Sequence, residues 1–488
     1  MLAHQIHDGG DRKRLSPAYA SRELTEPIPR YELAEEGMDG SLAYQLIHDE
    51  LQLDGNPALN LASFVTTWME PEADKLISES LSRNFVDADE YPRTTDIQNS
   101  CVSTLADLFH SPQGVGCATV GSSEAIHLAG LAAKWRWRKR NESLGLPTTK
   151  PNIVMGANVQ VCWEKFARYF EVEPRYVPLS EERFVLGVPE AMELVDHSTI
   201  AVVAILGSTY TGEYEPVKEL ASALDALASS GGPDVPIHVD AASGGFVAPF
   251  AQPDLEWDFR LGRVRSINVS GHKYGLVYPG VGWAIWATPE DLPSELIFHV
   301  NYLGGDQPTF NLNFSRGAAQ IIAHYYYFLR LGSQGYVSVI SALAETASYL
   351  SERIAAGGHF ELLSKPDTLP VVCMRLRAGK HYSVFDVSAQ LRARGWIVPA
   401  YTMAPDAADI AVLRIVVREG LSRDMADLLL ADLDETIAHL EAQAPTPEPS
   451  GEEHKRHLAR QAHRPAAAKV KGAPLRATHR SGGTTGVC

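Results

Sequence analysis

The middle of the chain alternates short, strongly hydrophobic runs with amphipathic stretches of helical periodicity. Helical stretches such as 124–140 and 217–228 lie among apolar runs of strand length. Buried strands that alternate with helices predict βαβ units and a mainly parallel sheet covered on both faces. The strand-like runs are IVM at 153, IAVVAIL at 200, IHV at 237, SINV at 266 and GWAIWA at 282.

Changes in this pattern divide the chain into segments. The first residues are mixed and polar, with one helix predicted at 42–51. Near the other end, a long helix precedes apolar runs at 370 and 411 and a final helix. After His454 there is no Asp or Glu, and Pro, Ala, Ser and Gly are frequent, which is typical of disorder. The predicted segments are an N-terminal arm (1–60), a large domain (61–335), a small α+β C-terminal domain (336–446) and a basic, disordered tail (447–488).

Composition and charge narrow the class of protein. The 488 residues include 60 Asp and Glu against 43 Lys and Arg, a formal net charge of −17. This acidic balance argues against a nucleic-acid or anionic-membrane binder, because both attract basic surfaces. No apolar run reaches the roughly 18 residues of a membrane span, and the N-terminus lacks the apolar core of a signal peptide. Five scattered cysteines without a C-x-x-C pair favour a reducing compartment, so we predict a cytoplasmic protein without a metal site.

The strongest chemical signal is the segment Ser270-Gly271-His272-Lys273, which directly follows the strand-like SINV. Proteins with parallel α/β sheets bind ligands at the carboxyl ends of their strands. A lysine at that place, once partly desolvated, is a usable nucleophile and could form a Schiff base with a carbonyl cofactor. Taken alone, a lysine in a glycine-flanked loop is far more often a solvated surface charge, so Lys273 needs support from other residues.

Two further segments give that support. Asp240 ends another predicted strand and is followed by the small residues Ala241 and Ala242. A carboxylate there could hold a pyridinium nitrogen protonated, as pyridoxal phosphate requires, although a loop-capping aspartate is an equally good interpretation. Ser122 and Ser123 follow a glycine at the start of a predicted helix, where backbone N–H groups, hydroxyls and the helix dipole favour a phosphate. An ordinary helix cap explains them as well.

Together these segments resemble the pyridoxal-phosphate-dependent glutamate decarboxylases of bacteria and plants. The resemblance runs from about residue 27 to about residue 440. It implies the aspartate-aminotransferase fold (fold type I), with a large cofactor-binding domain and a small domain that closes over it. It also implies sites formed between subunits of a homodimer or hexamer. Other matching segments include NLASFVTTW at 60, GSSEA at 121, CWEKFARY at 162, TYTGEYE at 209, HVDAASGGFVAPF at 238 and RGW at 394.

The resemblance also implies roles for individual residues on the cofactor side. Lys273 is the Schiff-base lysine, and Asp240 pairs with the pyridine nitrogen. Gln160 and Ala242 lie at the faces of the ring. The residues implied to contact the phosphate or the ring are Ser122, Ser123, Thr209, His272 and Ser315.

On the substrate side, the resemblance implies a reaction that converts L-glutamate and a proton to 4-aminobutyrate and carbon dioxide. Arg418 is similar to the arginine that grips the α-carboxylate. Relatives commonly have threonine where this chain has Ser63. The hydroxyl is kept but a methyl group is lost, so substrate affinity rather than reaction type is in question. The residues that resemble the pocket for the distal carboxylate are Ser63, Phe64, Asn84 and Asp87.

Three alternatives remain open from the sequence. The chain could decarboxylate another amino acid, such as aspartate or an aromatic one, or could be a non-catalytic homologue. The group that protonates the substrate carbon is either Lys273 or His272. Regulation by calmodulin through the basic tail is disfavoured, because calmodulin targets are amphipathic helices with apolar anchors. The tail after His454 has no aromatic residue and contains Pro465 and Pro474.

Overall fold

The computed structural model describes residue 33 and residues 37–302 and 305–443. Most of the predicted N-terminal arm and all of the predicted tail lie outside these residues. The α-helices are α1 (Gly40–Leu51), α2 (Pro71–Ser80), α3 (Pro92–Leu108), α4 (Ser122–Ser143), α5 (Val161–Tyr169), α6 (Val188–Leu194), α7 (Val217–Ser229), α8 (Ala248–Ala251), α9 (Ala319–Ala356), α10 (Val384–Ala393) and α11 (Arg423–Ala442). Within the same residues, no helix is both long enough and apolar enough to cross a membrane.

The strands form three sheets. The largest has the order β1-β7-β6-β5-β4-β2-β3, and a four-stranded sheet has the order β10-β11-β13-β12. Strands β8 and β9 pair with each other. The strands are β1 (Val115–Thr119), β2 (Asn152–Gly156), β3 (Glu173–Val177), β4 (Thr199–Ile205), β5 (Ile237–Asp240), β6 (Val264–Val269), β7 (Gly282–Trp286), β8 (Phe298–Val300), β9 (Gln307–Thr309), β10 (Phe360–Leu362), β11 (Val371–Leu376), β12 (Ala400–Thr402) and β13 (Ala411–Val416).

The large sheet has the mainly parallel architecture that the alternating pattern predicts. Strands β3, β2, β4, β5 and β6 run parallel, whereas β7 is antiparallel to both β6 and β1. All seven residues of β4 are buried, because helices cover both faces of the sheet. The carboxyl ends of the parallel strands therefore meet at one edge of the sheet.

Two strands of this sheet are missing from the predicted set, and both have weak β-signals. β3 contains Pro174 and is largely exposed at the edge of the sheet. Edge strands tolerate proline, which central strands exclude. β1 contains Gly116, whose Cα lies so close to β7 that an added Cβ would come within 2.4 Å of the Ala284 carbonyl oxygen. Hydrophobicity alone does not distinguish such strands from loops.

The small sheet is antiparallel throughout. Helix α10 packs on β12 and β13, and α11 packs on α10 and α9. Helix α9 links it to the large sheet and breaks at Gly332, where φ is 57°. The predicted domain boundary at 335/336 lies three residues beyond this break. The predicted small domain and the large sheet are thus connected by one kinked helix.

Candidate active site

A cavity of about 430 Å³ opens where β2, β4, β5 and β6 end and α4 begins. Four strand ends and one helix start converge there because the connected strands are parallel. The sequence-predicted residues that border this cavity are Ser122, Ser123, Gln160, Thr209, Asp240, Ala242, His272 and Lys273.

Lys273 lies in the loop after β6, and its amine points into the cavity. Nζ donates a hydrogen bond to Ser243 Oγ at 3.1 Å and lies 5.5 Å from the centre of the Phe64 ring. The hydroxyl of Thr66 donates to the Lys273 carbonyl oxygen at 2.8 Å and so fixes the loop. Burial lowers the pKa of Lys273 below its usual value, and the nearby carboxylate of Asp240 opposes this shift. More of the amine is therefore neutral and nucleophilic than in water.

Asp240, the last residue of β5, is a buried carboxylate held by three donors. Oδ2 accepts from Trp163 Nε1 at 2.9 Å, and Oδ1 accepts from Asn268 Nδ2 at 2.9 Å and from the Ala242 N–H at 3.2 Å. In the described part of the chain, no ion pair includes Asp240. Because a buried carboxylate without a cation is costly, the arrangement suits a cationic partner supplied by a ligand.

His238 fixes the orientation of the Asn268 amide. Since Asn268 Nδ2 donates to Asp240, its Oδ1 accepts from His238 Nε2 at 2.7 Å, and His238 Nδ1 then accepts from the Ser266 hydroxyl at 2.7 Å. Burial lowers the pKa of His238, in keeping with the neutral ring that this pattern requires. Sequence reasoning missed His238, Asn268 and Trp163 as supports of Asp240. Part of the signal was present, because His238 and Asn268 are polar residues that each lie between two apolar residues of a buried strand.

The first turn of α4 forms another wall of the cavity. Ser122 Oγ lies 2.6 Å from Ser270 Oγ, whereas Ser123 is exposed. Gly282 lets β7 approach the start of α4 closely, since a Cβ added at Gly282 would come within 2.6 Å of the Gly121 backbone. Hydroxyls and free N–H groups at a helix start suit a phosphate.

His272 presents an unsatisfied nitrogen inside the site. Its Nδ1 is buried without a hydrogen-bond partner, and its ring lies against Gly121. Burial is the main reason why the pKa of His272 falls to about 4, so the ring is neutral near pH 7. A buried polar atom without a partner requires an explanation, and a bound ligand supplies one.

Three further predicted cofactor-side residues, Gln160, Thr209 and Ala242, also border the cavity. Gln160 is exposed and caps α5, where its Oε1 accepts from the Cys162 N–H at 2.7 Å. Thr209 lies in the loop after β4, and Ala242 follows β5.

The predicted substrate residues divide into separate groups. Phe64 lies beside Lys273, buried between Lys273 and an arginine that the sequence analysis did not select, Arg414. The hydroxyl of Ser63 accepts from the Val65 N–H at 3.1 Å. The Arg414 guanidinium lies 4.8 Å from the Phe64 ring centre and donates to the backbone carbonyl of Thr209. Its charge helps to lower the pKa of Lys273. Arg414 is the only charged residue of β13, and this isolated charge in an apolar strand could have identified it.

Arg418, predicted to grip the α-carboxylate, is buried in a different environment. Its Nη2 donates to the carbonyl oxygens of Pro57 at 2.7 Å and Asn60 at 3.0 Å, and its Nη1 donates to Thr67 Oγ1 at 2.7 Å. Arg418 does not border the Lys273 cavity. These contacts join the end of the N-terminal arm and the start of the large domain to the small domain.

Asn84, Asp87 and Ser315 lie together, away from the cavity. Asn84 Oδ1 accepts from the Arg316 N–H at 3.2 Å, and Asn84 bridges to Gly317. None of the three predicted residues borders the Lys273 cavity. Within one chain the structure therefore brings together Phe64 and the predicted cofactor-side residues other than Ser315. It does not bring Asn84, Asp87 or Ser315 to the cavity.

Comparisons with known proteins agree with this geometry. A profile of the pyridoxal-dependent decarboxylase conserved domain matches residues 35–377. The chain belongs to the pyridoxal-dependent decarboxylase family. A glutamate decarboxylase of Solanum lycopersicum is 57% identical over 432 residues, which cover 88% of this chain and 86% of the relative. A glutamate decarboxylase of Aliivibrio fischeri is 49% identical over 429 residues, covering 87% and 92%.

A solved structure supports the fold of this pyridoxal-dependent decarboxylase. Glutamate decarboxylase of Lactobacillus brevis superposes with a TM-score of 0.85 at 42% identity, covering 88% of this chain and 100% of that one. The predicted fold type I architecture is confirmed. The cavity also fits pyridoxal phosphate, because an acid without a cation, an unpartnered His272 nitrogen and a hydroxyl-bearing helix start lie around one desolvated lysine.

Proposed function

We propose that the chain is a glutamate decarboxylase that uses pyridoxal phosphate to convert L-glutamate and a proton to 4-aminobutyrate and carbon dioxide. The observation that carries this proposal is that Lys273 and Asp240 border the same cavity. Curated relatives that share 49–57% identity over most of this chain are named glutamate decarboxylases. L-Glutamate is therefore the substrate to test first.

Lys273 and Asp240 would hold the two reactive ends of the cofactor. When bound, pyridoxal phosphate supplies a carbonyl carbon for an amine and a protonated ring that withdraws electrons from the bond being broken. Lys273 Nζ, partly neutral through burial, would bind the carbonyl carbon and be displaced by the substrate amine. Asp240 would keep the ring nitrogen protonated, because its own position is fixed by three donors. Ser122, His272 and the start of α4 would bind the phosphate and the ring.

Lys273 is also the better candidate to protonate the α-carbon after carbon dioxide leaves. His272, with a pKa of about 4, carries no acidic proton near pH 7 and is a poor general acid there. Lys273 Nζ lies in the cavity and can carry a proton as an ammonium group. His272 would then act by contact with the cofactor.

We propose Arg414, rather than the sequence-predicted Arg418, as the guanidinium that orients the α-carboxylate. Arg414 is next to Phe64 and close enough to Lys273 to affect its pKa. Both guanidiniums donate their Nη groups to backbone carbonyl oxygens, and the Nε of each is buried without a partner. The position of Arg414 beside Phe64 and Lys273 therefore carries this proposal. A guanidinium suits a carboxylate because its fork donates two parallel hydrogen bonds.

We also propose that two copies of the chain complete each site. Asn84, Asp87 and Ser315 do not border the Lys273 cavity of their own chain. The family resemblance implies sites shared between subunits, so these residues would act in the cavity of a partner copy. A homodimer is the minimum assembly, and a hexamer of such dimers has the same site.

A cytoplasmic location is a further part of the proposal. Cys101, Cys117, Cys162 and Cys373 are free thiols, as expected in a reducing compartment. Cys488 and the basic tail lie outside the described residues. The prediction that the tail does not bind calmodulin stays a prediction.

Carbon dioxide release from a panel of amino acids tests the substrate directly. Purified chain supplied with pyridoxal phosphate should release carbon dioxide from L-glutamate and form an equal amount of 4-aminobutyrate. Aspartate and aromatic amino acids should give kcat/KM values lower by about 100-fold or more, because a buried carboxylate site left unmatched costs several kcal/mol. Equal or faster turnover of another amino acid would replace glutamate as the substrate, and no turnover of any would favour a non-catalytic homologue.

A further inference from the structure

Glu215 is a buried carboxylate that the roles proposed above leave unused. It lies at the end of the loop after β4, where its N–H donates to the Ile205 carbonyl oxygen at 2.9 Å. Its Oε2 accepts from the Ile205 N–H at 2.7 Å. Its Oε1 accepts from the Leu186 N–H and from Asn158 Nδ2, each at 3.0 Å. Glu215 thus joins the end of β4, the loop before α6 and the turn between β2 and α5.

Two of these partners border the cofactor cavity, although Glu215 does not. Asn158 and Ile205 form part of its wall. Gly156 provides the space for the amide, because an added Cβ would come within 2.2 Å of Asn158 Oδ1. Any change in the hydrogen bonds of Glu215 therefore reaches the cavity through Asn158 and Ile205.

The charge of Glu215 has no compensating cation. Glu215 is only 3% exposed, and no ion pair in the described residues includes it.

 Among the charged groups on the surrounding elements, Asp240 acts on Glu215 by repulsion. Arg183 of the loop before α6 pairs instead with Glu190 at 2.8 Å, and Glu213 pairs with Lys365 at 2.6 Å.

Burial and the nearby charge of Asp240 raise the pKa of Glu215 to about 7, although its three donors oppose the shift. Glu215 therefore changes its charge near neutral pH, where a surface glutamate stays ionised.

We propose that Glu215 is a positioning residue whose ionisation gives the wall of the cofactor cavity two hydrogen-bonding states. The inference rests on the proposed function only for the identity of the cofactor that the cavity binds. It adds to that function a residue that acts through Asn158 rather than by touching the reacting atoms.

The two states follow from the donors around the carboxyl group. An ionised carboxylate is only an acceptor, so Asn158 must turn Nδ2 towards Glu215, and its Oδ1 is left buried without a partner. A protonated carboxyl group has one O–H to donate. The Leu186 and Ile205 partners are backbone N–H groups and cannot accept it. Only Asn158 can accept a hydrogen bond from this O–H, and it does so by reversing its amide so that Oδ1 faces Glu215. Protonation therefore exchanges the donor and the acceptor that Asn158 presents to its other neighbours.

Thermal unfolding of the cofactor-free chain as a function of pH tests the ionisation. The folded state raises the pKa of Glu215, so this group contributes stability at low pH and loses that contribution as the pH rises through about 7. This contribution is full below the unfolded pKa of about 4.5, so we expect the Tm of the wild type minus that of Glu215→Gln to be largest at about pH 4.5 and to fall until about pH 8.5. A difference that stays constant over this range would overturn the proposal.

Glu213→Gln is the matched control. Glu213 lies two residues away in the same loop, but it pairs with Lys365 and Thr211 and does not contact the cavity wall. This variant should keep the wild-type transition near pH 7. If Glu213→Gln removed the transition and Glu215→Gln did not, the ionising group would be Glu213.

Pyridoxal phosphate binding, followed by absorbance without glutamate, tests the effect on the cavity. In Glu215→Gln one backbone N–H must face the amide NH₂, so we expect affinity about tenfold weaker than wild type above pH 7, the cost of about one hydrogen bond. The wild-type Kd should also change across pH 7 by an amount that the variant lacks. Equal affinity and equal pH dependence in both proteins would overturn the positioning role.

Asn158→Ala keeps the test decisive if Glu215→Gln does not fold. It removes one donor that lowers the pKa of Glu215, so the stability transition should move to higher pH. An unmoved transition would contradict the proposed coupling. None of these measurements uses turnover of glutamate, so a failure of the proposed substrate would leave their outcome unchanged.

Discussion

The cofactor side and the substrate side of the candidate site are built in different ways. On the cofactor side, Asp240 ends β5 and Lys273 follows β6. These are neighbouring parallel strands in which Asp240 is in register with Asn268. On the substrate side, Phe64, Arg414 and Asp87 come from the start of the large domain, from the small sheet and from the loop before α3. One sheet edge positions the first set, whereas packing between distant segments positions the second.

This difference predicts how each side responds to change. The cofactor side is held by short hydrogen bonds among buried groups, so a single substitution there should act on chemistry while the fold remains. The substrate side depends on contacts between domains and, in the proposed assembly, would also depend on contacts between copies of the chain. Substitutions there should act on substrate affinity and orientation, and two of its proposed residues should act in a different subunit from Lys273.

Replacing Lys273 with alanine should have the largest effect. We expect kcat to fall by about 10³-fold or more, the scale for removing a nucleophile that also transfers protons. The near-visible absorbance band of lysine-bound pyridoxal phosphate should disappear as well. Stopped assays of 4-aminobutyrate together with an absorbance spectrum measure both effects.

The control for this variant is a circular dichroism spectrum and a Tm, which should stay near the wild-type values. Lys273 makes one side-chain hydrogen bond, to Ser243, so its removal should not unfold the large domain. Turnover close to wild type would contradict the role of Lys273 and with it the cofactor side of the comparison.

The cofactor side could be predicted from the sequence because local patterns fix it. A strand followed by Ser-Gly-His-Lys, and another that ends in Asp, place both residues at the same sheet edge whatever the rest of the chain does. The same reasoning could not show that Trp163 donates to Asp240. These residues are 77 positions apart and meet only through packing.

Arg414 and Arg418 offer the sharpest test of the substrate side. We expect Arg414→Lys to lose on the order of 2–5 kcal/mol in kcat/KM for glutamate, because an ammonium cannot replace a two-pronged donor to a buried carboxylate. The measured cofactor occupancy of the variant must remain near wild type, so that the lower kcat/KM does not result from lost pyridoxal phosphate. Full kcat/KM in a cofactor-loaded Arg414→Lys variant would contradict the assignment.

Arg418→Lys is the matched control, since the two residues are four positions apart and both are buried. Its loss should appear mainly as a lower Tm, because Arg418 binds the carbonyl oxygens of Pro57 and Asn60. If Arg418→Lys instead lost more kcat/KM than Arg414→Lys at an unchanged Tm, the original prediction would be restored.

The sequence pattern could not separate these two arginines. Both follow apolar residues of the same segment, and a guanidinium at either position could reach a cleft in an extended chain. The structure distinguishes them through long-range contacts, since Arg414 packs on Phe64, about 350 residues earlier, whereas Arg418 is held by Pro57, Asn60 and Thr67. Such contacts have no local signature.

Residues that would act across a subunit boundary are equally hidden from local patterns. Asp87 and Ser315 are partly or fully exposed and lie outside the Lys273 cavity of their own chain. In a symmetric dimer, each chain would supply these residues to the other chain's cavity. A chain that lacks them and a chain that lacks Lys273 should therefore repair one site when they assemble together.

Mixing two inactive variants measures this repair. One carries Lys273→Ala, and the other carries Asp87→Ala and Ser315→Ala together. Random assembly of equal amounts makes half of the dimers mixed, and each mixed dimer has one complete site, so activity should recover to about a quarter of the wild-type value. Two preparations combined without unfolding and reassembly serve as the control and should stay near the activity of the separate variants. No recovery after verified mixed assembly would place Asp87 and Ser315 in the same subunit's site as Lys273, because the mixed dimers would then contain no complete site.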